Sequence, residues 1–328
     1  MGVVKFLEFR TRFCESGHFK WPANAALETT ERNFFDNYNR ILSSLNIPDC
    51  MAFAGLSVMG LWFQAQLDVD KTIKSGEYVS AEERHQRIGE RNEELKKQGI
   101  PQSREEHWGN LAKVLVTGAE SPDLNLDASV LHKGLEAIML GAVTAAYTAF
   151  EVVAADTWKA CLNARPRLGF VALNVEPSED DNEEEVARKY RARIQVPVWM
   201  LRDPNFDLKS HMGTLLASMK KWDFANRRET WDAYIKVFPE LKAQIDAIFN
   251  DENLRWLAAI RNVVVHNACV ADAEFVKLVK RNPILNSVPE GERITLDGDL
   301  LGPIAAAGFE QGKALVAFVD EWLAKFDA

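Results

Sequence analysis

The stretch Ala137–Phe150, with the sequence AIMLGAVTAAYTAF, runs for fourteen residues without a charge. It lies at the centre of Ser129–Ala164, which is typical of one long helix. A helix that is apolar on most of its sides belongs in a core, because it leaves no polar face for water. The stretch therefore predicts a central helix with other helices packed around it.

Helical patterns also dominate the chain on both sides of this stretch. Before it, Ala23–Leu45 has apolar residues three and four apart, and Pro48 is predicted to end that helix. A serine followed three residues later by a glutamate, the spacing of a capping box, starts further helices at Ser80 and Ser103. After it, helices are predicted at Asn205–Met219, Asn226–Phe238, Glu240–Phe249, Glu252–His266 and Pro303–Phe326.

The chain of 328 residues is about twice a typical domain in length. At Gly118–Asp127 the apolar periodicity is lost and turn residues cluster, which predicts a linker. We expect a mostly helical N-terminal region, residues 1–128, and a bundle of about five or six helices, residues 129–328. Two short strands are predicted, at Val3–Phe9 and Arg293–Leu296. The fold class is mainly α.

Composition and charge exclude several classes of protein. With 47% hydrophobic and 27% charged residues, the chain can bury a sizeable core, so wholesale disorder is excluded. The net charge of −9 argues against a protein that coats a polyanion, although a local basic groove remains compatible with it. The four cysteines form no CxxC pair and are interpreted as free thiols in a reducing compartment.

The sequence also bears on localisation. Its beginning lacks the charged, apolar and cleavage regions of a signal peptide. Cys50–Leu67 is uncharged and approaches the length of a membrane span, but its two glutamines, one serine and two glycines favour a buried core helix. We therefore expect a cytoplasmic protein with no membrane partner.

The segment Leu254–Asn267, with the sequence LRWLAAIRNVVVHN, carries the most informative polar residues. At about 100° per residue, Asn262 and His266 lie on one face of a helix, one turn apart. The long side chain of Arg261 can reach the same groove. The β-branched patch Val263–Val265 is expected to pack against the core or a partner.

An arginine near a histidine, without a cluster of metal-binding carboxylates, suits chemistry on a phosphodiester. Histidine can accept or donate a proton near neutral pH. Arginine can hold a phosphate and stabilise the charge that develops in the transition state. Because RNA supplies its own nucleophile, the 2′-hydroxyl, neither a metal nor a cofactor is needed. The segment predicts metal-independent cleavage of RNA.

The run Arg261-Asn262-Val263-Val264-Val265-His266 resembles the motif of the HEPN superfamily, in which a polar residue usually follows the arginine and a histidine comes a few residues later. Two parts of the long helix, Ala149-Phe150-Glu151 and Asp156-Thr157-Trp158, are also similar to HEPN elements. The resemblance covers about residues 129–328.

The resemblance implies a helical domain that forms a homodimer in which two motifs line a shared cleft. Arg261 and Arg255 would each be present twice, which gives an acidic protein a locally positive site. Many HEPN proteins are endoribonucleases that act as toxins or in antiviral defence, often restrained by an antitoxin or another regulatory partner. We expect His266 and Arg261 to be catalytic, with Asn262 positioning either the substrate or the partner subunit.

Glu151, on the long helix, is expected to orient either Arg261 or His266, as polar residues of that helix do in similar proteins. Tyr147, one turn earlier, is a further candidate. His132 and His211 are interpreted as surface or packing residues. Glycine-rich phosphate loops, paired zinc ligands and a nucleophile elbow are absent from the sequence, so no metal or cofactor is expected.

The alternative function is that of a non-catalytic helical module that binds RNA, a nucleotide or a partner protein. The net negative charge favours this alternative. So does the lack of a stripe of aromatic and basic residues for binding single strands.

Overall fold

A computed structural model describes residues 2–14, 23–72, 79–98, 128–173, 207, 210–219, 222–294 and 298–327. Within these ranges the chain forms α-helices, three 3-10 turns and a single isolated antiparallel bridge between Val270 and Arg293. The expected mainly α fold class is confirmed.

The α-helices are numbered in chain order within the described ranges. They are α1 Gly2–Cys14, α2 Glu28–Thr72, α3 Ala81–Gln98, α4 Ala128–Ala164, α5 Leu168–Leu173, α6 Met212–Ser218, α7 Arg227–Val237, α8 Lys242–Phe249, α9 Glu252–His266, α10 Ala273–Val279 and α11 Gly298–Asp327. The 3-10 turns are Ala25–Leu27, Pro239–Leu241 and Leu285–Ser287.

Contacts divide the chain into two compact units. The first comprises Met1–Val3 and Ser43–Glu136, and the second comprises Val4–Leu42 and Ala137–Ala328. The second unit therefore includes a part of the chain that precedes the expected boundary near residue 128. The linker predicted at Gly118–Asp127 lies outside the described residues.

The first unit has a small core between α2 and α3. Ala65, Val69 and Ile88 are buried there. Arg91 and Asp68 join the two helices through a hydrogen-bonded ion pair of 2.9 Å. At the start of α3 the Ser80 hydroxyl accepts a hydrogen bond from the backbone N–H of Glu83 at 3.1 Å, which confirms the predicted cap. Ser103 lies outside the described residues.

The second unit is built around α4, with large aromatic side chains in its core. Trp158 of α4 donates a hydrogen bond to the carbonyl oxygen of Ala233, and the Tyr234 hydroxyl donates one to that of Ala154. The predicted burial of α4 holds for half of Ala137–Phe150, whereas Ala137, Gly141 and Thr148 are exposed. One face of the central helix therefore remains open.

This central helix also satisfies the length and composition criteria for a membrane span. The segment that satisfies them within the described residues is Lys133–Ala164, and half of its most apolar window is buried inside the protein. The core helix of a globular domain satisfies the same criteria.

The strand predicted at Val3–Phe9 is wrong, because the segment lies within helix α1. Phe6, Phe9 and Phe13 recur every three or four residues and are fully buried. Phe13 contacts the ring of Phe309 in α11 at 5.5 Å between centroids. Burying three aromatic rings on one helical face outweighs the strand preference of the valines before them.

The predicted end of a helix at Pro48 is also wrong, since α2 continues through that residue to Thr72. A proline inside a helix removes one backbone hydrogen bond, which costs about 3 kcal/mol. Beyond the proline, Ala65 and Val69 bury their side chains against α3. This packing stabilises the helix beyond the proline. A prediction based only on the local effect of proline does not include it.

In the C-terminal half, Glu252–His266 forms a helix with the predicted bounds. The helix expected at Asn205–Met219 is shorter and comprises Met212–Ser218. Residues 205 and 206 lie outside the described residues. The strand predicted at Arg293–Leu296 is reduced to the bridge that Arg293 forms, and residues 295 and 296 lie outside the described ranges.

Candidate functional site

Helix α9 carries the candidate motif and is fixed at both ends. Its N-cap residue, Asp251, accepts a hydrogen bond from the backbone N–H of Leu254 at 2.9 Å. Its apolar face is buried, and the helix packs against α10 and α11. Asn262 and His266 are both exposed, so the polar face predicted from their spacing is open.

The backbone after His266 adopts an unusual conformation that ends the helix sharply. Ala268 and Cys269 both have positive φ angles, 50° and 66°. The left-handed region costs a residue other than glycine about 1–2 kcal/mol. The amides of Asn267 and Cys269 both donate to the carbonyl oxygen of Val263, which holds this turn in place. His266 is therefore presented at a defined helix end.

The guanidinium of Arg261 lies between Asn262 on this exposed face and Tyr147 of α4. Its guanidinium carbon lies 5.8 Å from the centre of the Tyr147 ring, within the range of a cation–π interaction. Its Nη1 donates a hydrogen bond to the side-chain oxygen of Asn262 at 3.1 Å. Its Nε atom is buried and has no hydrogen-bond partner among the described residues.

Glu151 lies one turn after Tyr147 on α4, in the electrostatic environment of Arg261. Burial raises the pKa of its carboxyl to about 7, Arg261 opposes this rise, and Asp223 adds to it. Its Oε1 atom is buried without a hydrogen-bond partner among the described residues. Of the two roles expected for Glu151, the structure favours the one directed at Arg261.

Tyr147 provides the apolar wall of the site. Its side chain is almost fully buried. Burial, together with the neighbouring charge of Glu151, raises the pKa of its hydroxyl to about 12. The phenol therefore remains protonated at neutral pH and can donate a hydrogen bond.

Two further arginines lie beside this group. Arg227, the first residue of α7, donates a hydrogen bond from Nη1 to the carbonyl oxygen of Phe249 at 2.5 Å. Burial lowers its pKa, the charge of Arg255 lowers it further, and Tyr147 raises it. Arg255 was expected from the sequence and Arg227 was not, because no local pattern indicates that the start of α7 meets the end of α8.

The predicted valine patch is divided by the structure. Val263 is 1% exposed and belongs to the core of its own chain. Val264 lines an open groove of about 580 Å³ between α2, α4 and α9. Only Val265, which is 48% exposed, is largely free to contact another molecule.

The remaining residues considered for a site are less informative. His211 makes local contacts through its Nδ1 atom. This atom lies 3.1 Å from the carbonyl oxygen of Asp207 and also contacts the Ser210 hydroxyl. The side chain of His132 lies outside the described residues. Within the described ranges no group of three or more histidine, cysteine or acidic residues is arranged to hold a metal ion. Cys161 and Cys269 are buried and form no disulfide bond.

Comparisons of the chain with protein family models, with curated proteins and with solved structures found no match. The functional interpretation therefore rests on the side chains described above.

Proposed function

We propose that this chain is a metal-independent endoribonuclease of the HEPN type that acts in the cytoplasm as a toxin or an antiviral-defence effector. The observation that carries the proposal is the arrangement at the end of α9. Asn262 and His266 are exposed there. Arg261 is held next to them by a hydrogen bond to Asn262 and by the ring of Tyr147.

The proposed reaction uses the 2′-hydroxyl of the RNA as the nucleophile. His266 accepts the hydroxyl proton, and the 2′-oxygen attacks the adjacent phosphorus. The bond from phosphorus to the 5′-oxygen breaks, and the leaving oxygen takes a proton from a second acid. The products are a 2′,3′-cyclic phosphate and a 5′-hydroxyl end.

Arg261 is assigned the stabilisation of the pentacoordinate phosphate, because a guanidinium can donate two parallel hydrogen bonds to phosphate oxygens. The amide oxygen of Asn262 accepts a hydrogen bond from Arg261. This leaves the NH₂ group of Asn262 to donate to the substrate. Glu151 and Tyr147 are positioning residues, since they act on Arg261 by charge and by ring contact.

A second copy of the chain is the proposed source of the second acid. One histidine cannot easily lie on both sides of a phosphate, next to the 2′-oxygen and next to the leaving 5′-oxygen. Two histidines related by a twofold axis can do so. An antitoxin or another regulatory partner would restrain the activity by covering this open face of α9.

The test is incubation of the purified protein with RNA in excess EDTA, followed by analysis of the ends. The proposal expects cleavage at the same rate with and without EDTA, and 2′,3′-cyclic phosphate ends. The same RNA with 2′-O-methyl groups throughout should remain intact, because it lacks the nucleophile. Intact RNA in every reaction would favour the non-catalytic binding module, and cleavage that EDTA abolishes would contradict the mechanism.

A further inference from the structure

We propose that Arg255 and Arg227 form a second phosphate-binding subsite beside the motif, which holds a backbone phosphate of the RNA other than the one that is cleaved. This inference deepens the proposed function and rests on it for the identity of the ligand. It assigns the substrate to the class of RNA chains with several phosphates, and not to dinucleotides.

The helical geometry of α9 places Arg255 on the face that carries the motif. At about 100° per residue, Arg255 is within about 20° of both Asn262 and His266 around the helix axis. Along the axis, eleven residues separate Arg255 from His266, which corresponds to about 16 Å at 1.5 Å per residue. An anion held at Arg255 is therefore not the phosphate that is cleaved beside His266. Both positions nevertheless lie along one surface of the helix.

Arg227 approaches the same place from α7. Its guanidinium is anchored by the hydrogen bond to the carbonyl oxygen of Phe249, at the end of α8. It interacts electrostatically with both Arg255 and Tyr147. Helices α7 and α9 thus carry the charges of Arg227, Arg255 and Arg261 in the second unit.

These arginines lack the ion pairs that arginines form elsewhere in the chain. Arg87, Arg91 and Arg281 each lie within 4 Å of a carboxylate. Within the described residues, no carboxylate lies that close to Arg227, Arg255 or Arg261.

The acidic groups on neighbouring elements are engaged by other donors. Asp223 accepts from the backbone of Ala225, Asp246 accepts from the indole of Trp231, and Asp251 caps α9. Glu151 is the acidic group whose charge acts on Arg261. Arg227 and Arg255 repel each other, and a bound anion relieves that repulsion.

Phosphate is the anion that best fits this arrangement. The planar fork of a guanidinium matches two phosphate oxygens, and Arg255 has all its side-chain donors available within the described structure. The proposed substrate carries phosphates at regular intervals on both sides of the cleaved bond. An RNA strand that follows the exposed face of α9 would place one of them at Arg255 while another lies at His266.

The experiment measures binding separately from cleavage. The probe is a fluorescein-labelled single-stranded RNA with 2′-O-methyl groups throughout, which cannot react, and fluorescence anisotropy is recorded over a range of salt concentrations. The variant is Arg255→Gln, whose side chain makes no hydrogen bond or ion pair among the described residues. The matched control is Arg228→Gln, which removes the same charge from an exposed residue next to Arg227.

Arg255→Gln should weaken binding about tenfold and lower the slope of log affinity against log salt by about one, because one phosphate contact is lost. Arg228→Gln should change neither quantity. A second variant, Arg227→Lys, keeps the charge and should weaken binding less than Arg255→Gln while the thermal melting temperature stays near that of the wild type.

Equal affinities and slopes for Arg255→Gln and Arg228→Gln would overturn the subsite, and so would a wild-type protein that does not bind the probe. A wrong proposed function would give a different experimental result. In that case natural RNA would remain uncleaved, while the binding of the probe would still depend on Arg255.

Discussion

At the scale of single residues, the groups that surround Arg261 make up most of the candidate site. Its charge lies next to an aromatic ring and beside a carboxyl group whose pKa is raised to about 7. Buried Arg261 Nε and Glu151 Oε1 have no hydrogen-bond partner among the described residues. An unpaired buried polar group costs about 1–3 kcal/mol. Such a cost is typical of a group kept for a ligand.

The first prediction concerns the shape of the Arg261 side chain. Arg261→Lys keeps the charge but loses the planar fork, so RNA cleavage should fall by about 10²-fold or more. The melting temperature should change little, since the side chain is only partly buried. Cleavage is measured under single-turnover conditions. Full activity in the lysine variant would mean that positive potential alone is sufficient.

The second prediction concerns Glu151 and pH. Its pKa is about 7 in the folded protein, above the ordinary value of 4.5. The folded state therefore holds the proton more tightly, and the carboxyl costs stability as pH rises through this range. Glu151→Gln should leave stability nearly unchanged at about pH 4 and raise it by about 1 kcal/mol at about pH 8, after allowance for solvent exposure.

Urea unfolding at the two pH values measures this difference. Glu31, whose pKa burial also raises to about 7, is present in both proteins and cancels in the comparison. Equal stability differences at both pH values would show that the Glu151 carboxyl does not lose a proton over this range in the folded protein.

At the scale of helices, close packing of α11 sets the distance between α4 and α9. A Cβ atom on Gly308 of α11 would lie 2.8 Å from the carbonyl oxygen of Ala146 and 3.1 Å from the side chain of Leu257. Ala146 precedes Tyr147 on α4, and Leu257 lies one turn before Arg261 on α9. Glycine at this position therefore lets α11 pack closely against both helices that carry the site.

The third prediction tests this packing. Gly308→Ala should lower the free energy of unfolding by about 1–3 kcal/mol through overpacking, although alanine is the better helix former. The control is Gly89→Ala in α3, where a Cβ atom would meet nothing within 4 Å. That variant should be neutral or gain about 0.5–1 kcal/mol. Equal effects of the two substitutions would contradict the close contact.

The sequence predicted α9 with its correct bounds because the signals there are local. Asp251 caps the helix, and apolar residues recur at helical spacing up to Val263. The strand predicted at Val3–Phe9 failed because distant aromatic partners decide that segment. The end predicted at Pro48 failed for a similar reason, since packing against α3 continues the helix.

The candidate site could be predicted only in part. Arg261, Asn262 and His266 follow from their spacing on one helix, and Glu151 was named from the other helix. Arg227 could not be found, because its position depends on how α7 packs against α4 and α8. Tertiary packing also decides the valine patch. Three consecutive valines in the sequence do not show that Val263 is buried and Val265 is exposed.

At the scale of the whole molecule, the fourth prediction is that the active species is a homodimer. Light scattering should give about twice the chain mass of 37.0 kDa. His266→Ala and Arg261→Ala should each be inactive alone. Mixing wild-type protein with His266→Ala should lower the activity below the share of wild-type chains, because a mixed dimer has one histidine where the reaction uses two. A fully active monomer would contradict the shared site.

The central claim is that His266 performs acid–base chemistry on RNA, and the most direct measurement is the single-turnover cleavage rate of His266→Ala in excess EDTA. His266 is exposed at the end of α9, so the variant should fold normally. The matched control is His211→Ala, which removes a histidine with local contacts only. The account predicts a rate about 10²–10⁴-fold below wild type for His266→Ala and an unchanged rate for His211→Ala. A wild-type rate in the His266→Ala protein would contradict it.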